Sequence, residues 1–251
     1  MHQNIFSSPD AAADFVACLI VRRINDFQPS AARPFVLGLP TGSSPEGVYA
    51  KLVQAYKDGK VSFAHVVTFN MDEYVGLRPE HPQLYHYFMY DKLFNHIDIP
   101  RANIHILDGL SADPETECAN YEAQIRRFGR INLFLGGLGP EGHLAFNEAG
   151  LARNSKTRRV SLAASTVRAN SRFFGSEAAV PKLALSVGIS TILDNLDEIV
   201  LLVFGKAKAW ALEKTLFGQA SDPQVPSSYL REHKNVTVVC DHAAAGLSLK
   251  L

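Results

Sequence analysis

The sequence predicts an α/β fold in which a doubly wound, mostly parallel sheet is flanked by helices. The first observation is that short apolar runs, of the kind that fill buried parallel strands, alternate with longer segments of helical periodicity. The second is that turns rich in glycine or serine follow several of these runs. The third is size, because 251 residues, of which 47% are hydrophobic, are enough for one sizeable core. We therefore expect a single Rossmann-like domain over residues 1–251.

The predicted strands are six apolar segments spread along the chain, at residues 34–39, 65–70, 103–107, 131–135, 198–204 and 235–240. Residues 182–189 are predicted to form a further buried segment. Helices are predicted between them, where apolar residues recur with helical spacing after capping or turn residues. The first helix follows Ser8 and runs to about Asn25; later ones cover residues 46–57, about 85–94, 113–128 and a stretch that begins near Ala209. Residues 149–159 lack such spacing and are expected to form a loop.

A hydroxyl-rich loop follows the first of these strands and leads into the helix from Glu46. Its residues are Thr41, Gly42, Ser43 and Ser44. We expect Ser44 to cap the helix, with Pro45 at the first helical position. Backbone N–H groups at the positive end of a helix bind phosphate readily, although turns of this kind also occur as plain helix caps.

Two acidic residues, Asp72 and Glu73, come shortly after the second predicted strand. Ligands of open parallel sheets bind beyond the carboxyl ends of the strands, so these side chains stand where chemistry would occur. The alternative is that Asp72 caps the next element.

The stretch from Ile131 to Glu148 (INLFLGGLGPEGHLAFNE) combines a strand, a cluster of glycines and three ionisable side chains. The glycines indicate a backbone that turns tightly or approaches a ligand. Glu141, His143 and Glu148 follow, and a histidine flanked by carboxylates beyond a buried strand has the parts of a proton-transfer site. A solvated histidine in a loop is the plainer alternative.

Cations in two later segments indicate an anion-binding site. Arg168 and Arg172 lie in a segment that is short of carboxylates, which favours an anionic partner. Lys206 and Lys208 precede the predicted helix near Ala209, and a lysine at a helix start is unfavourable unless it serves an anion. One of these two lysines is therefore a candidate phosphate ligand.

Composition excludes several classes of function. Lysine plus arginine and aspartate plus glutamate both number 25, so no global field favours nucleic acid or an anionic membrane. The three cysteines are far apart and form no CxxC motif, which fits a reducing compartment and argues against a zinc site. We find no signal peptide, no apolar run long enough to span a bilayer and no nucleotide fingerprint, and expect a cytoplasmic protein. The residues alone thus predict acid–base chemistry without metal or cofactor on a small phosphorylated molecule.

Several blocks of the sequence match one known family in order and over nearly the whole chain. They are LGLPTGSSPEGVY, VVTFNMDEYVGL, LFLGGLGPEGHLAFNE, ANSRFF and the turn from Gly205 to Lys208. The chain resembles glucosamine-6-phosphate deaminases (isomerases), and FNMDEY together with GHLAFNE makes the resemblance specific. It implies a cytoplasmic enzyme of N-acetylglucosamine catabolism that converts glucosamine 6-phosphate and water to fructose 6-phosphate and ammonia by a hydrolytic deamination coupled to isomerisation.

The resemblance also implies roles for single residues. His143 would open the sugar ring, and Glu141 and Glu148 would orient it and hold its charge state. Asp72 would take the proton from C2. The phosphate pocket of the family falls on Thr41 to Ser44, Arg172 and Lys208, where the helix-terminus argument also places an anion.

Departures from the family pattern bear on regulation and assembly. Glu141 stands where many members have aspartate, and Leu151 and Val160 replace the serine and lysine with which allosterically activated members bind N-acetylglucosamine 6-phosphate, although Arg158 is retained. The sequence is short after its last strand, whereas hexameric members carry a longer tail there. We therefore expect a monomer or a small homo-oligomer without strong cooperativity. Residues 158–181 are expected to form a mobile lid.

Two alternatives keep the fold but change the function. The related 6-phosphogluconolactonases share the fold, and Asp72 with Asn147-Glu148 argues against that activity. A sugar-phosphate sensor without turnover would need a DNA-binding module, and the sequence has no basic helix-turn-helix segment.

Overall fold

The centre of the molecule is a parallel sheet of seven strands. The computed structural model describes residues 1–246. The strands are β1 (His2–Phe6), β2 (Phe35–Leu39), β3 (Val66–Asn70), β5 (Ile104–His105), β6 (Leu133–Gly137), β9 (Ile199–Val203) and β10 (Val236–Asp241). They are arranged in the order β1-β10-β9-β6-β2-β3-β5. The predicted α/β fold with a mostly parallel sheet is thereby confirmed.

Helices cover both faces of this sheet because successive strand residues point to opposite sides. α1 (Pro9–Phe27), α2 (Glu46–Lys57) and α3 (Tyr85–Lys92) bury their apolar faces on one side. α4 (Pro114–Arg127), α6 (Ile189–Asp194), α7 (Ala209–Phe217) and α8 (His242–Ala245) pack on the other. In β9, Val200 and Leu202 belong to the first core and Ile199, Leu201 and Val203 to the second. Burial on both faces explains why the strand reads as an unbroken apolar run.

A second, antiparallel sheet of three short strands lies beyond the carboxyl edge of β3. It consists of β4 (Asp72–Tyr74), β8 (Leu183–Ser186) and β7 (Arg158–Ser161), in that order. Helix α5 (Ala164–Phe174) follows β7. A third apolar cluster joins this sheet to its surroundings through Tyr74, Leu84, Phe146 and Ala184. The small sheet thus holds Asp72 and the start of α5 near the end of the large one.

The order of the large sheet contains one reversal. From β2 the chain moves outward through β3 to β5, and it then returns to the other side of β2 with β6 before continuing to β9 and β10. The boundary between β2 and β6 is therefore the topological switch point. Crevices for ligands form at such points, because the loops leaving the two neighbouring strands diverge to opposite faces.

Four local predictions differ from the structure. Residues 182–189, predicted as one more buried segment, contribute β8 to the small sheet, and the predicted loop at 149–159 already contains the first residues of β7. Strand β1 had no counterpart in the prediction. Ser44 does not cap α2, because Pro45 has near-helical φ and ψ of −84° and −8°, takes the capping position itself and brings no side-chain hydrogen bond.

Of the helices within residues 1–246, none is both long and apolar enough to cross a membrane. The end of the sequence, on which the expectation about assembly rests, lies in part outside the described residues.

Candidate active site

A cleft of about 260 Å³ opens at the switch point of the sheet. Its walls come from the loops after β2, β3 and β6, from α5 and from the start of α7. Eight of the predicted site residues line it: Thr41, Gly42, Ser43, Ser44, Asp72, His143, Arg172 and Lys208. The other two, Glu141 and Glu148, are not among the lining residues.

Asp72 is the first residue of β4 and one of the most confined groups in the cleft. It is paired with Ser186 across the small sheet, and only 8% of its surface is exposed. Burial, followed by the nearby charge of Glu73, raises the pKa of Asp72 from its ordinary value to about 8. Once deprotonated, such a carboxylate is a much stronger base than an exposed aspartate, which suits it to take a proton from carbon.

His143 lies flat against the backbone of Gly139. A Cβ built on Gly139 would come within 2.1 Å of the imidazole Nε2, so the ring occupies the space that any other residue would fill. The amide of Gly139 also donates to the carbonyl of His143 at 2.9 Å. Within the described residues the imidazole Nδ1 is buried and has no hydrogen-bond partner. Burial and then Lys208 lower the pKa of His143, so the ring is neutral at physiological pH.

The two remaining carboxylates contact helix α5. Glu148 accepts hydrogen bonds from the amide of Ala163 at 3.0 and 3.1 Å and from the hydroxyl of Thr166 at 2.7 Å. Glu141 accepts one from the hydroxyl of Ser165 at 3.1 Å. Both carboxylates raise the pKa of His143 by their charge, although they accept hydrogen bonds from the start of α5. The cleft loop and the start of α5 are therefore joined by three polar links.

A tight turn fixes the residues between His143 and Glu148. Asn147 is fully buried, and its Nδ2 donates to the carbonyls of Leu144 and Val187 at 2.8 Å each. Ala145 takes a positive φ of 52°, a conformation that a residue with a Cβ adopts only when its surroundings enforce it. The FNE element of the sequence is thus a pinned turn that sets the direction of Glu148.

The opposite end of the cleft is cationic. Lys208 is the last residue of a short 3₁₀ helix (Lys206–Lys208) directly before α7, and burial, together with Arg172, lowers its pKa to about 8. Arg172 stacks on the ring of Phe173, with 4.5 Å between the guanidinium carbon and the ring centroid. An anion bound between these two cations would offset the repulsion that Arg172 exerts on the Lys208 ammonium. Helix α2 adds a first turn with no side-chain cap beside the same loop.

The other candidate cations lie elsewhere. Lys206 is exposed and does not line the cleft, whereas Lys208 does. Arg168 is also exposed and lies 3.8 Å from Glu177 in an ion pair.

Several polar and aromatic residues that line the cleft were not predicted as site residues, among them Tyr85, Thr166, Asn170 and Phe173. Tyr85 belongs to a helix rich in aromatic residues, in which a cleft-facing ring cannot be told from a packing ring. The other three lie on α5, whose polar face looks like an ordinary solvated face in the sequence. Recognising residues 164–174 as an amphipathic helix beside the cleft would have been the usable signal.

Comparisons with known proteins agree with this geometry. The family model described as "Glucosamine-6-phosphate isomerases/6-phosphogluconolactonase" matches residues 7–239. A glucosamine-6-phosphate isomerase of Candida albicans is 66% identical over 252 residues and covers 100% of both chains. A glucosamine-6-phosphate deaminase of Treponema denticola is 50% identical, over 97% of this chain and 90% of its own.

A solved structure supports the same assignment. It is a monomeric glucosamine-6-phosphate deaminase with a TM-score of 0.93 and 38% identity, and the match covers 98% of this chain and 100% of that one. The chain therefore belongs to the family of glucosamine-6-phosphate isomerases and 6-phosphogluconolactonases.

Proposed function

We propose that this protein deaminates and isomerises glucosamine 6-phosphate to fructose 6-phosphate and ammonia. The observation that carries the proposal is that one cleft joins a strong buried base, Asp72, and a neutral imidazole, His143, to a cationic end formed by Arg172 and Lys208. The names of the two relatives and of the solved structure described above support the same substrate. We further propose that the protein acts in amino-sugar catabolism in the cytoplasm.

The first step is ring opening by His143. A neutral imidazole can accept the proton of the C1 hydroxyl and return a proton to the ring oxygen, because one nitrogen accepts while the other donates. The flat contact with Gly139 holds the ring in one plane during this exchange. Glu141 and Glu148 favour the protonated intermediate through their charge, in agreement with the direction in which they shift the pKa of His143.

The second step is proton transfer between carbons. Asp72 removes the proton from C2, the electron pair forms the C1–C2 double bond, and the electrons of the C1=O double bond move to the aldehyde oxygen, which takes up a proton to give an enolamine. Return of a proton to C1 and loss of the amino N–H proton give a ketimine at C2. Water then adds to C2 and ammonia leaves, which yields the ketose. The aldehyde oxygen accepts the electrons in the first transfer and the amino nitrogen supplies them in the second, so the residues named here have only protons to move.

Binding of the phosphate is assigned to the cationic end of the cleft. Arg172 can offer two parallel N–H groups and Lys208 a point charge, while Thr41 to Ser44 contribute hydroxyl and backbone donors. A phosphate dianion beside Lys208 raises the pKa of its ammonium, so binding takes up a proton above about pH 8.

We also propose that α5 forms the moving part of a lid, as expected for residues 158–181. Strand β7 is held by four residue pairs with β8, whereas the start of α5 is held by hydrogen bonds to the side chains of Glu141 and Glu148, so we expect α5 and the residues up to the next strand to be the part that shifts. Arg172, Phe173 and Gly175 are exposed near its end. Closure of α5 would bring Arg172 onto the phosphate and exclude water from the enolamine.

The decisive experiment measures ammonia and fructose 6-phosphate formed from glucosamine 6-phosphate, in EDTA, by the wild type and by Asp72→Asn and His143→Gln. We expect turnover by the wild type and a loss on the order of 10²- to 10⁴-fold for each variant. Hydrolysis of 6-phosphogluconolactone without ammonia release would identify a lactonase instead. Binding of the phosphosugar without any turnover would identify a sensor.

A further inference from the structure

We propose that Glu73, which lies behind the cleft, is a positioning residue for the reaction: its carboxylate docks α3 onto β4, and its charge acts on Asp72. The idea rests on the proposed function, since it assigns Asp72 the role of base. Glu73 follows Asp72 in a strand, so the two side chains point to opposite faces of the small sheet. Asp72 lines the cleft and Glu73 does not.

The surroundings of Glu73 form a complete carboxylate site. Only 1% of its surface is exposed. Oε1 accepts the amides of Tyr74 at 2.8 Å and Tyr85 at 3.0 Å, and Oε2 accepts the amide of His86 at 2.8 Å. A buried carboxylate is costly unless several donors satisfy it, and three backbone amides do so here.

Two of these amides belong to the first turn of α3, which lacks a side-chain cap of its own. The capping position is Leu84, and Tyr85 and His86 are the next two residues. Glu73 therefore caps this helix from a separate strand, and its negative charge faces the positive end of the helix. Tyr85 lines the cleft, and its ring packs 4.9 Å from that of Tyr74. Loss of the cap would release the wall of the cleft that Tyr85 forms.

Glu73 also acts electrostatically on Asp72, its neighbour in β4. Burial raises the pKa of both groups, and the charge of Glu73 raises that of Asp72 further. The tyrosines that interact with Asp72 are Tyr74 on β4, Tyr85 on α3 and Tyr121 on α4. Burial raises the pKa of each of them, so they remain neutral when Asp72 titrates.

Across the cleft lie the neutral His143 and the cations Arg172 and Lys208, which are bound to the phosphate during turnover in our proposal. Glu73 thus supplies negative charge directly behind the base. A base with a higher pKa accepts a proton from carbon more readily, so the charge of Glu73 is matched to the work of Asp72.

The test compares Glu73→Gln and Glu73→Asp by the pH dependence of kcat/KM for ammonia release. Deprotonated Asp72 is the active form, so activity rises through its pKa on the acid side. Glu73→Gln removes the charge, and we expect the acid limb to move to lower pH by about half a unit or more, with a several-fold lower kcat. Glu73→Asp keeps the charge but shortens the side chain, so its limb should stay at the wild-type position.

The docking of α3 is measured separately, by the rate of hydrogen exchange at the amides of Tyr85 and His86. Both Glu73 variants should exchange faster there than the wild type. Glu122→Gln serves as the matched control, because Glu122 is 6% exposed and likewise accepts a backbone amide, that of Thr157, whereas the charge that shifts the pKa of Asp72 is that of Glu73. This control should lose stability without moving the acid limb.

Two outcomes would overturn the proposal: an acid limb of Glu73→Gln that coincides with that of the wild type, or unchanged exchange at Tyr85 and His86. If Glu73→Gln does not fold, a displaced acid limb or wild-type exchange rates in Glu73→Asp would contradict it. NMR titration of carboxyl-labelled aspartate, with Asp72→Asn for assignment, separates this proposal from the proposed function. It reports the pKa of Asp72 in wild type and variant even if the wild type releases no ammonia.

Discussion

At the scale of single residues, the site depends on the absence of a side chain at Gly139 and on the burial of the Asp72 carboxylate. The imidazole of His143 rests where a Cβ of residue 139 would stand, and Asp72 is kept in surroundings that oppose its charge. Both features lower stability in exchange for chemistry: glycine is entropically costly, and a buried carboxylate resists ionisation. They lead to two predictions.

Gly139→Ala should abolish activity while leaving the fold intact. The added methyl group would lie 2.1 to 2.2 Å from three atoms of the His143 ring, so the ring must leave its plane. We expect kcat to fall at least about 100-fold, since misplaced catalytic groups cost this much. Gly136→Ala in the same glycine cluster is the control, because its methyl group would meet only side chains at 3.4 Å or more. Equal effects of the two variants on kcat would refute the contact argument.

Asp72→Asn should make the protein more stable at pH 8 although it removes the base. The folded-state pKa of Asp72 lies above that of the unfolded chain, so the folded form binds more protons and its stability falls as pH rises from about 4 to about 8. Asparagine escapes this penalty. We expect a gain of about 1 kcal/mol or more in urea unfolding at pH 8 and a smaller gain at pH 5.5. A gain that is the same at both pH values would contradict the assigned cause.

At the scale of elements, helix α5 borrows its N-terminal cap from the cleft. Ala163 at its capping position offers no side chain, and Glu148 accepts both its amide and the hydroxyl of Thr166 three residues on. A capping box usually pairs these two positions within one helix; here a carboxylate from another segment completes it. The docking of α5 and the direction of Glu148 are therefore one arrangement.

Thr166→Val should loosen α5. The substitution keeps the shape of the side chain but removes the hydroxyl that Glu148 accepts at 2.7 Å. Loss of a cap costs on the order of 1 kcal/mol, so hydrogen exchange in α5 should speed up about fivefold, and KM should rise because Arg172 is carried by this helix. Thr166→Ser keeps the hydroxyl and should behave as the wild type. An exchange rate in Thr166→Val equal to that of Thr166→Ser would rule the cap out.

The elements that could be predicted from sequence are those whose pattern is set by burial on both faces. Strands such as β3 and β9 are fully buried and read as apolar runs. β4 and β7 consist of DEY and RRVS, and they are strands only because β8, more than 20 residues away from β7 in sequence, lies between them. No local pattern contains that information. Strand β1 (HQNIF) is partly exposed and largely polar, so its local pattern does not mark it as a strand either; it is a strand because it pairs with β10.

In the site, too, some residues could be predicted from local sequence and others depend on how distant elements pack. Asp72 and His143 could be predicted because residues that follow buried strands must meet at the carboxyl edge of the sheet. Thr166 and Tyr85 lie on helices, and which face of a helix meets the cleft depends on how the whole helix docks. The hydrogen bonds from Glu141 and Glu148 to α5 were also beyond the sequence, since α5 itself had no predicted boundaries.

At the scale of the whole molecule, the positions that differ from the allosteric pattern are used within the chain. Leu151 packs against the second core, and Val160 packs against the third apolar cluster. Arg158 donates to Asn147 at 3.0 Å, inside the turn that carries Glu148. A polar activator bound at these positions would contact two apolar side chains, Leu151 and Val160, and an arginine that already donates a hydrogen bond to Asn147.

We therefore expect hyperbolic kinetics without activation by N-acetylglucosamine 6-phosphate. The expectation of a monomer or small oligomer stays a prediction, and the monomeric solved relative is consistent with it. Sedimentation velocity at assay concentration, together with substrate saturation curves with and without N-acetylglucosamine 6-phosphate, provides the test. Sigmoidal curves that the added sugar phosphate makes hyperbolic would show that another set of residues binds the activator.

The pairing of β1 with β10 imposes an order in time on the folding of this chain. His2 lies opposite Thr237, so that edge of the sheet closes one of the longest loops the sequence allows. Such distant pairings form slowly, because chain entropy is lost before the contact is gained. During synthesis, residues 2–6 emerge long before residues 236–241 exist, and α1 must pack while its neighbouring strand is still unpaired. Strand β1 is thus made well before its partner β10, and until the two pair its edge is open to aggregation.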